Sequence, residues 1–155
     1  MSGPAHSFRL PTEWRVPGTV ERACEVLSAP ERFPDWWGDV YLSVEVLDRG
    51  GPDERARIRA KGRLPYEVVW TGRIVEDERP RRWVIEATGD LEGRGEWRLS
   101  QEGGEVRIHY DWRVRAEKPW MRALAPLLRP LFAWNHRWAM ARGEEGLRRK
   151  MARQA

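Results

Sequence analysis

The chain has 155 residues and a mass of 18.2 kDa, enough for one domain, residues 1–155, with its own core. Hydrophobic residues make up 41% and charged residues 34%, and no apolar run approaches the roughly 20 residues that span a bilayer, so no integral membrane segment is expected. Net charge is only +4, from 28 basic and 24 acidic residues with both signs interspersed along the chain, which argues against a nucleic-acid partner.

Ser7 to Val16 reads as a first strand, with Phe8 and Leu10, then Trp14 and Val16, alternating imperfectly across Pro11. Pro17-Gly18 ends it, and Thr19 caps a short amphipathic helix to about Leu27. Cys24 lies on the apolar side of that helix and reads as a buried, inert thiol. Ser28-Ala29-Pro30 breaks the helix, and Glu31 to Trp37 makes a second short one. A run of strands follows. Tyr41 to Leu47 sets Leu42, Val44 and Val46 on one face, and Gly50-Gly51-Pro52-Asp53 signals a turn. Arg55 to Lys61 alternates strictly between small or apolar residues and charges, the pattern of a sheet with one wet face. Tyr66 to Val75, Trp83 to Thr88, Gly93 to Ser100 and Val106 to Arg115 complete the series, the last two joined by a hairpin turn at Gln101 to Glu105. Connections this short make the sheet an antiparallel meander.

Everything after Lys118 is helical in composition. Pro126 and Pro130 each remove a backbone donor, which predicts two pieces or a kink. At about 100° per residue, Trp120, Leu124, Leu127, Leu131, Trp134 and Trp138 share one stripe, with Met140, Leu147 and Met151 nearly opposite. Gly143 and Gly146 fall between the two patterns, so a bend near Gly143 or a change of packing neighbour is expected.

The order strand, two small helices, six-strand meander and long C-terminal helix resembles the START-like (helix-grip) superfamily, in its polyketide cyclase/dehydrase and lipid-transport branch. The residues that carry the likeness are Trp14-Arg15-Val16-Pro17-Gly18, Val26 to Trp37, Gly89 to Trp97, Val106 to Trp112 and Gly143 to Leu147. The resemblance covers roughly residues 7 to 152 and implies an α+β fold, a curved antiparallel sheet of about seven strands gripped by the long helix. It also implies a ligand site between the concave face of the sheet and that helix. The same scaffold carries binders, cyclases and other activities, so fold alone does not choose among them.

Ten tryptophans in so short a chain are the unusual feature, more rings than a small core needs, and they line either a cavity or an interface. Strand alternation points Tyr66 and Trp70, Trp83, Gly95 and Trp97, and Tyr110 and Trp112 inward. With Leu131, Trp134 and Trp138 closing from the helix, these form an aromatic box that either binds a ligand or is filled by its own rings. Asn135 and Arg142 are the polar candidates at its edge, and the family layout puts Trp36 and Trp37 at the entrance. The expected partner is a hydrophobic or aromatic small molecule, polyketide- or lipid-like. A cyclase or aromatase on the same scaffold and a protein- or membrane-interaction module are the alternatives.

No nucleophile elbow or phosphate-cradling loop occurs, a single cysteine excludes an intrachain disulfide, and His6, His109 and His136 lack metal-binding spacing. Neither metal nor cofactor is expected. Met1 to Pro11 has neither the charged start nor the apolar core of a secretory signal, so a cytoplasmic location is expected.

Overall fold

The structure, a computed structural model, describes residues 7–48 and 54–152. The turn expected at Gly50 to Asp53 lies outside them. The described elements are β1 (Ser7–Pro17), α1 (Val20–Leu27), a 3₁₀ turn (Pro30–Arg32), α2 (Phe33–Trp36), β2 (Tyr41–Asp48), β3 (Arg55–Lys61), β4 (Glu67–Glu78), β5 (Arg82–Gly89), β6 (Leu91–Glu102), β7 (Glu105–Ala116) and α3 (Pro119–Ala152).

The seven strands form one curved antiparallel sheet in the order β1-β7-β6-β5-β4-β3-β2, the START-like helix-grip arrangement. Pro11 sits in β1 without breaking it, because β1 is an edge strand and pairs with β7 in one register from Ser7 opposite Arg115 to Pro17 opposite Glu105. The inner face follows the alternation of the sequence. Val68, Trp70, Trp83, Ala87, Trp97, Leu99, Ile108, Tyr110 and Trp112 are all buried on it. The outer face is a lattice of ion pairs. Arg82 bridges Glu76 and Glu96, Arg73 meets Glu86, and Arg113 meets Asp111.

Register places large rings side by side. Trp83 opposes Trp97, which opposes Tyr110, and the three stack across the strands at centroid separations of 5.9 and 4.0 Å. Gly95 faces Trp112 from the neighbouring strand, and a β-carbon there would lie 2.7 Å from the indole and 2.6 Å from the Tyr110 hydroxyl. Bulk on one strand is matched by a hollow on the next.

α3 is one continuous helix rather than two pieces, with Pro126 and Pro130 inside it. Both prolines are exposed, so the carbonyls left without a helical donor, at Arg122 and Pro126, belong to residues that water reaches. The face that packs on the sheet corrects the stripe expected from the sequence. Met121, Ala125, Phe132, Ala139, Met140, Gly143, Gly146, Leu147 and Met151 are buried, whereas Leu131 and Trp134 are 42% and 41% exposed. The physical reason is volume. The sheet and α2 already supply the bulky indoles, so the helix presents its small residues to them. A β-carbon at Gly143 would sit 2.5 Å from the Trp37 ring and 2.8 Å from that of Trp14, and one at Gly146 would collide with the Trp36 carbonyl. The change of neighbour expected near Gly143 is this approach of α3 to Trp14, Trp36 and Trp37.

Candidate functional site

Between the inner face of the sheet and the first half of α3 lies a cavity of about 150 Å³. Phe8, Val68, Trp70 and Trp112 wall it from the sheet, and Met121, Phe132 and Ala139 roof it from the helix. A second cavity of about 70 Å³ lies further along the sheet, against Phe33, Trp83 and Trp97. Tyr41, Trp70 and Tyr110 line both, so these three side chains form the partition.

Local structure explains why Tyr41 reaches this position. Simple alternation puts Tyr41 on the face opposite Val44 and Val46. A register shift between Tyr41 and Ser43 inserts Leu42 as an extra residue, and Tyr41 and Val44 both pack on the core. Nothing in the residues around Tyr41 marks that bulge, which is why the sequence does not point to this side chain.

The polar groups of the main cavity are few: the hydroxyls of Tyr41, Tyr66 and Tyr110, the Asn135 amide, the His136 imidazole and Lys61 at the exposed rim. Tyr41 and Tyr110 make no hydrogen bond through their hydroxyls among the described residues, and burial pushes both phenols well up, so both stay protonated. His136 is brought down to about 4, chiefly by burial and secondarily by the positive charge of Arg137, so its imidazole is neutral at physiological pH. Asn135 and His136 both lie in the cavity wall.

Asn135 has a structural task. Its side-chain oxygen accepts from the backbone N–H of Arg63 at 2.6 Å and of Leu64 at 3.1 Å, and its NH₂ approaches the Tyr66 hydroxyl at 3.4 Å. The β3–β4 loop is thereby fastened to α3 along one side of the cavity. Gly62 makes the contact possible, because a β-carbon there would overlap the Asn135 amide.

Of the residues singled out from sequence, Tyr66, Trp70, Tyr110, Trp112 and Asn135 line the main cavity, and Trp83 and Trp97 line the smaller one with Trp70 and Tyr110. Trp138 is partly buried against the core but lines neither. Leu131 and Trp134 lie outside both cavities on the exposed side of α3. Arg142 also points away. Its guanidinium pairs with Asp39 at 2.6 Å and Glu145 at 3.1 Å. Trp36 and Trp37 are not at an exposed entrance but 5% and 2% exposed in the core. The Trp37 indole N–H donates to the Ala139 carbonyl at 2.9 Å and its ring closes one end of the main cavity.

Among the described residues no group of three or more His, Cys, Asp or Glu side chains is placed to hold a metal ion, and no helix is long and apolar enough to cross a membrane.

The model of a family described as polyketide cyclase / dehydrase and lipid transport matches residues 8–152. No curated protein matches the chain. Solved structures do. The aromatase/cyclase ZhuI from a Streptomyces species superposes with a TM-score of 0.75 at 17% identity, over 96% of this chain and 96% of that one. A START superfamily protein from Mycobacterium smegmatis gives 0.76 at 12% identity over 95% and 99%. The protein TTHA0849 from Thermus thermophilus gives 0.72 at 23% identity over 90% and 96%. At these identities the likeness establishes the fold.

Proposed function

The chain belongs to the polyketide cyclase/dehydrase and lipid-transport family, and we propose that it binds a hydrophobic or aromatic small molecule, polyketide- or lipid-like, between the sheet and α3. The observation that carries this reading is the 150 Å³ cavity walled by Trp70, Trp112 and Phe132. An apolar void of about that volume is large enough for one benzene-sized ring. Burial of the ring contributes about 25 cal/mol per Å² of apolar surface, and the flanking indoles orient it by edge and offset contacts. Lys61 at the rim suits a carboxylate or phenolate on the ligand's outer end. A longer ligand extends into the smaller cavity if the Tyr41, Trp70 and Tyr110 side chains turn aside.

Intrinsic tryptophan fluorescence during titration with aromatic polyketides, flavonoids and fatty acids tests this. Saturable quenching that Trp70→Phe and Trp112→Phe both weaken is expected. Quenching unaffected by either variant would place the ligand elsewhere.

The His136 imidazole shares the cavity wall with the Tyr41 and Tyr110 side chains, which favours a second reading, a cyclase-type enzyme. A neutral imidazole can take a proton from the carbon between two carbonyls, and the Tyr41 and Tyr110 phenols can donate to the enolate oxygen that forms. Solvent-proton exchange of benzoylacetone above its uncatalysed rate, lost in His136→Phe, would support catalysis. No acceleration would leave a binder alone.

A further inference from the structure

An exposed face of α3 carries most of the apolar stripe that the sequence placed inside. Trp120, Leu124, Leu127, Leu131 and Trp134 follow one another at alternating spacings of four and three residues. All five are exposed, by 41% to 42% at four positions and 76% at Leu127. An apolar row on five successive turns of one helix is not the scattered exposure of an ordinary surface. Its ends are tryptophans and its middle is leucine, so amphipathic rings bracket an aliphatic centre.

Charge says what covers it. From Pro119 to Gly143 the helix carries Arg122, Arg129, Arg137 and Arg142 and no acidic residue. Arg122 pairs with Glu117, Arg129 donates to the Ser7 carbonyl, and Arg142 pairs with Asp39. Arg137 is exposed three residues beyond Trp134. On the other side Arg63, whose backbone N–H is held by Asn135 next to Trp134, is exposed on the β3–β4 loop. Neither guanidinium makes an ion pair or a side-chain hydrogen bond among the described residues. Two arginines therefore flank the stripe with their charges unspent. A second copy of this chain would bring cation against cation along the same face. An anionic lipid surface meets both features, its acyl region taking the leucines, its interface the indoles and its headgroups the arginines.

We propose that the outward face of α3 docks on an anionic membrane surface. The stripe residues Leu124, Leu127, Leu131 and Trp134 do not line the cavity, and only the Trp120 ring packs edge-on against its wall, at Tyr66 and Phe132. The proposal stands whether or not the cavity takes a ligand.

Co-sedimentation of the full chain with vesicles tests it, comparing phosphatidylcholine alone with an equimolar phosphatidylcholine–phosphatidylglycerol mixture. Binding to the mixed vesicles, weakened by salt and nearly absent with phosphatidylcholine, is expected. Leu127→Glu, at an exposed position that the fold does not need, should weaken binding about tenfold or more. Arg63→Gln and Arg137→Gln should each weaken it about fivefold. Near-ultraviolet circular dichroism identical to that of the parent chain would show that these variants are folded. Failure of the parent chain to sediment with mixed vesicles would overturn the proposal. So would equal binding by Leu127→Glu, or a dimer in sedimentation velocity that Leu127→Glu dissociates, since a second copy would then own the stripe.

Discussion

The side-chain oxygen of Asn135 in the middle of α3 accepts a 2.6 Å hydrogen bond from the backbone N–H of Arg63, seventy-two residues earlier in the loop between β3 and β4. With the second bond from Leu64, one amide spans the gap between helix and sheet beside the cavity. Asn135→Ala leaves two loop N–H groups without this acceptor and should cost about 1–2 kcal/mol. Amide exchange should quicken at Arg63 and Leu64 more than in the sheet, because the loop is released rather than the fold. Asn135→Asp keeps the accepting oxygen and should restore most of the protection. Unchanged exchange in Asn135→Ala would mean that the loop is held by other contacts.

Gly146→Ala should destabilise the chain although alanine is the better helix former by about 1 kcal/mol. The added methyl collides with the Trp36 carbonyl, a backbone atom that moves only if α2 moves. Overpacking of this kind costs about 1–3 kcal/mol. Urea denaturation should show a lower midpoint for Gly146→Ala, whereas an exposed position such as Ala123→Gly should cost only the propensity difference.

His136 makes stability depend on pH. In the unfolded chain its imidazole takes up a proton below about 6.5, and in the folded chain only below about 4. Between those values the unfolded state binds more protons, so this contribution to stability is full above about 6.5 and is lost as pH falls toward 4. The span is worth about 3 kcal/mol at most. His136→Phe should flatten the fall in melting temperature across that window. An equal acid slope in the variant would assign the dependence to the carboxylates of the outer ion pairs instead.

The sheet was legible in the sequence because its signal is local. Val68 with Trp70, Trp97 with Leu99, and Ile108 with Tyr110 and Trp112 lie buried on the face that simple alternation assigns them. The cavity residues that follow from strand alternation, Trp70, Tyr110 and Trp112, were legible for the same reason. Tyr41 was not, because a bulge at Leu42 reverses the pattern and nothing nearby marks it. The helix was legible in place and length but not in orientation. Hydrophobic periodicity selects the greasiest face, here the row from Trp120 to Trp134. The face that packs is the one with room for the indoles opposite, the face of Ala125, Ala139, Gly143 and Gly146. Gly143 and Gly146, which no exposed helix favours, were the visible sign of that approach.

The ligand site between sheet and helix is tested most directly by the indole N–H NMR resonances of the ten tryptophans, followed while 2-naphthol is titrated into the chain. Saturable shifts are predicted for Trp37, Trp70 and Trp112, which wall the main cavity, with Trp134 on the outer face of α3 unmoved. A shift at Trp134 with the three cavity indoles silent for this and the other aromatic probes would contradict the account and leave the aromatic box a filled core.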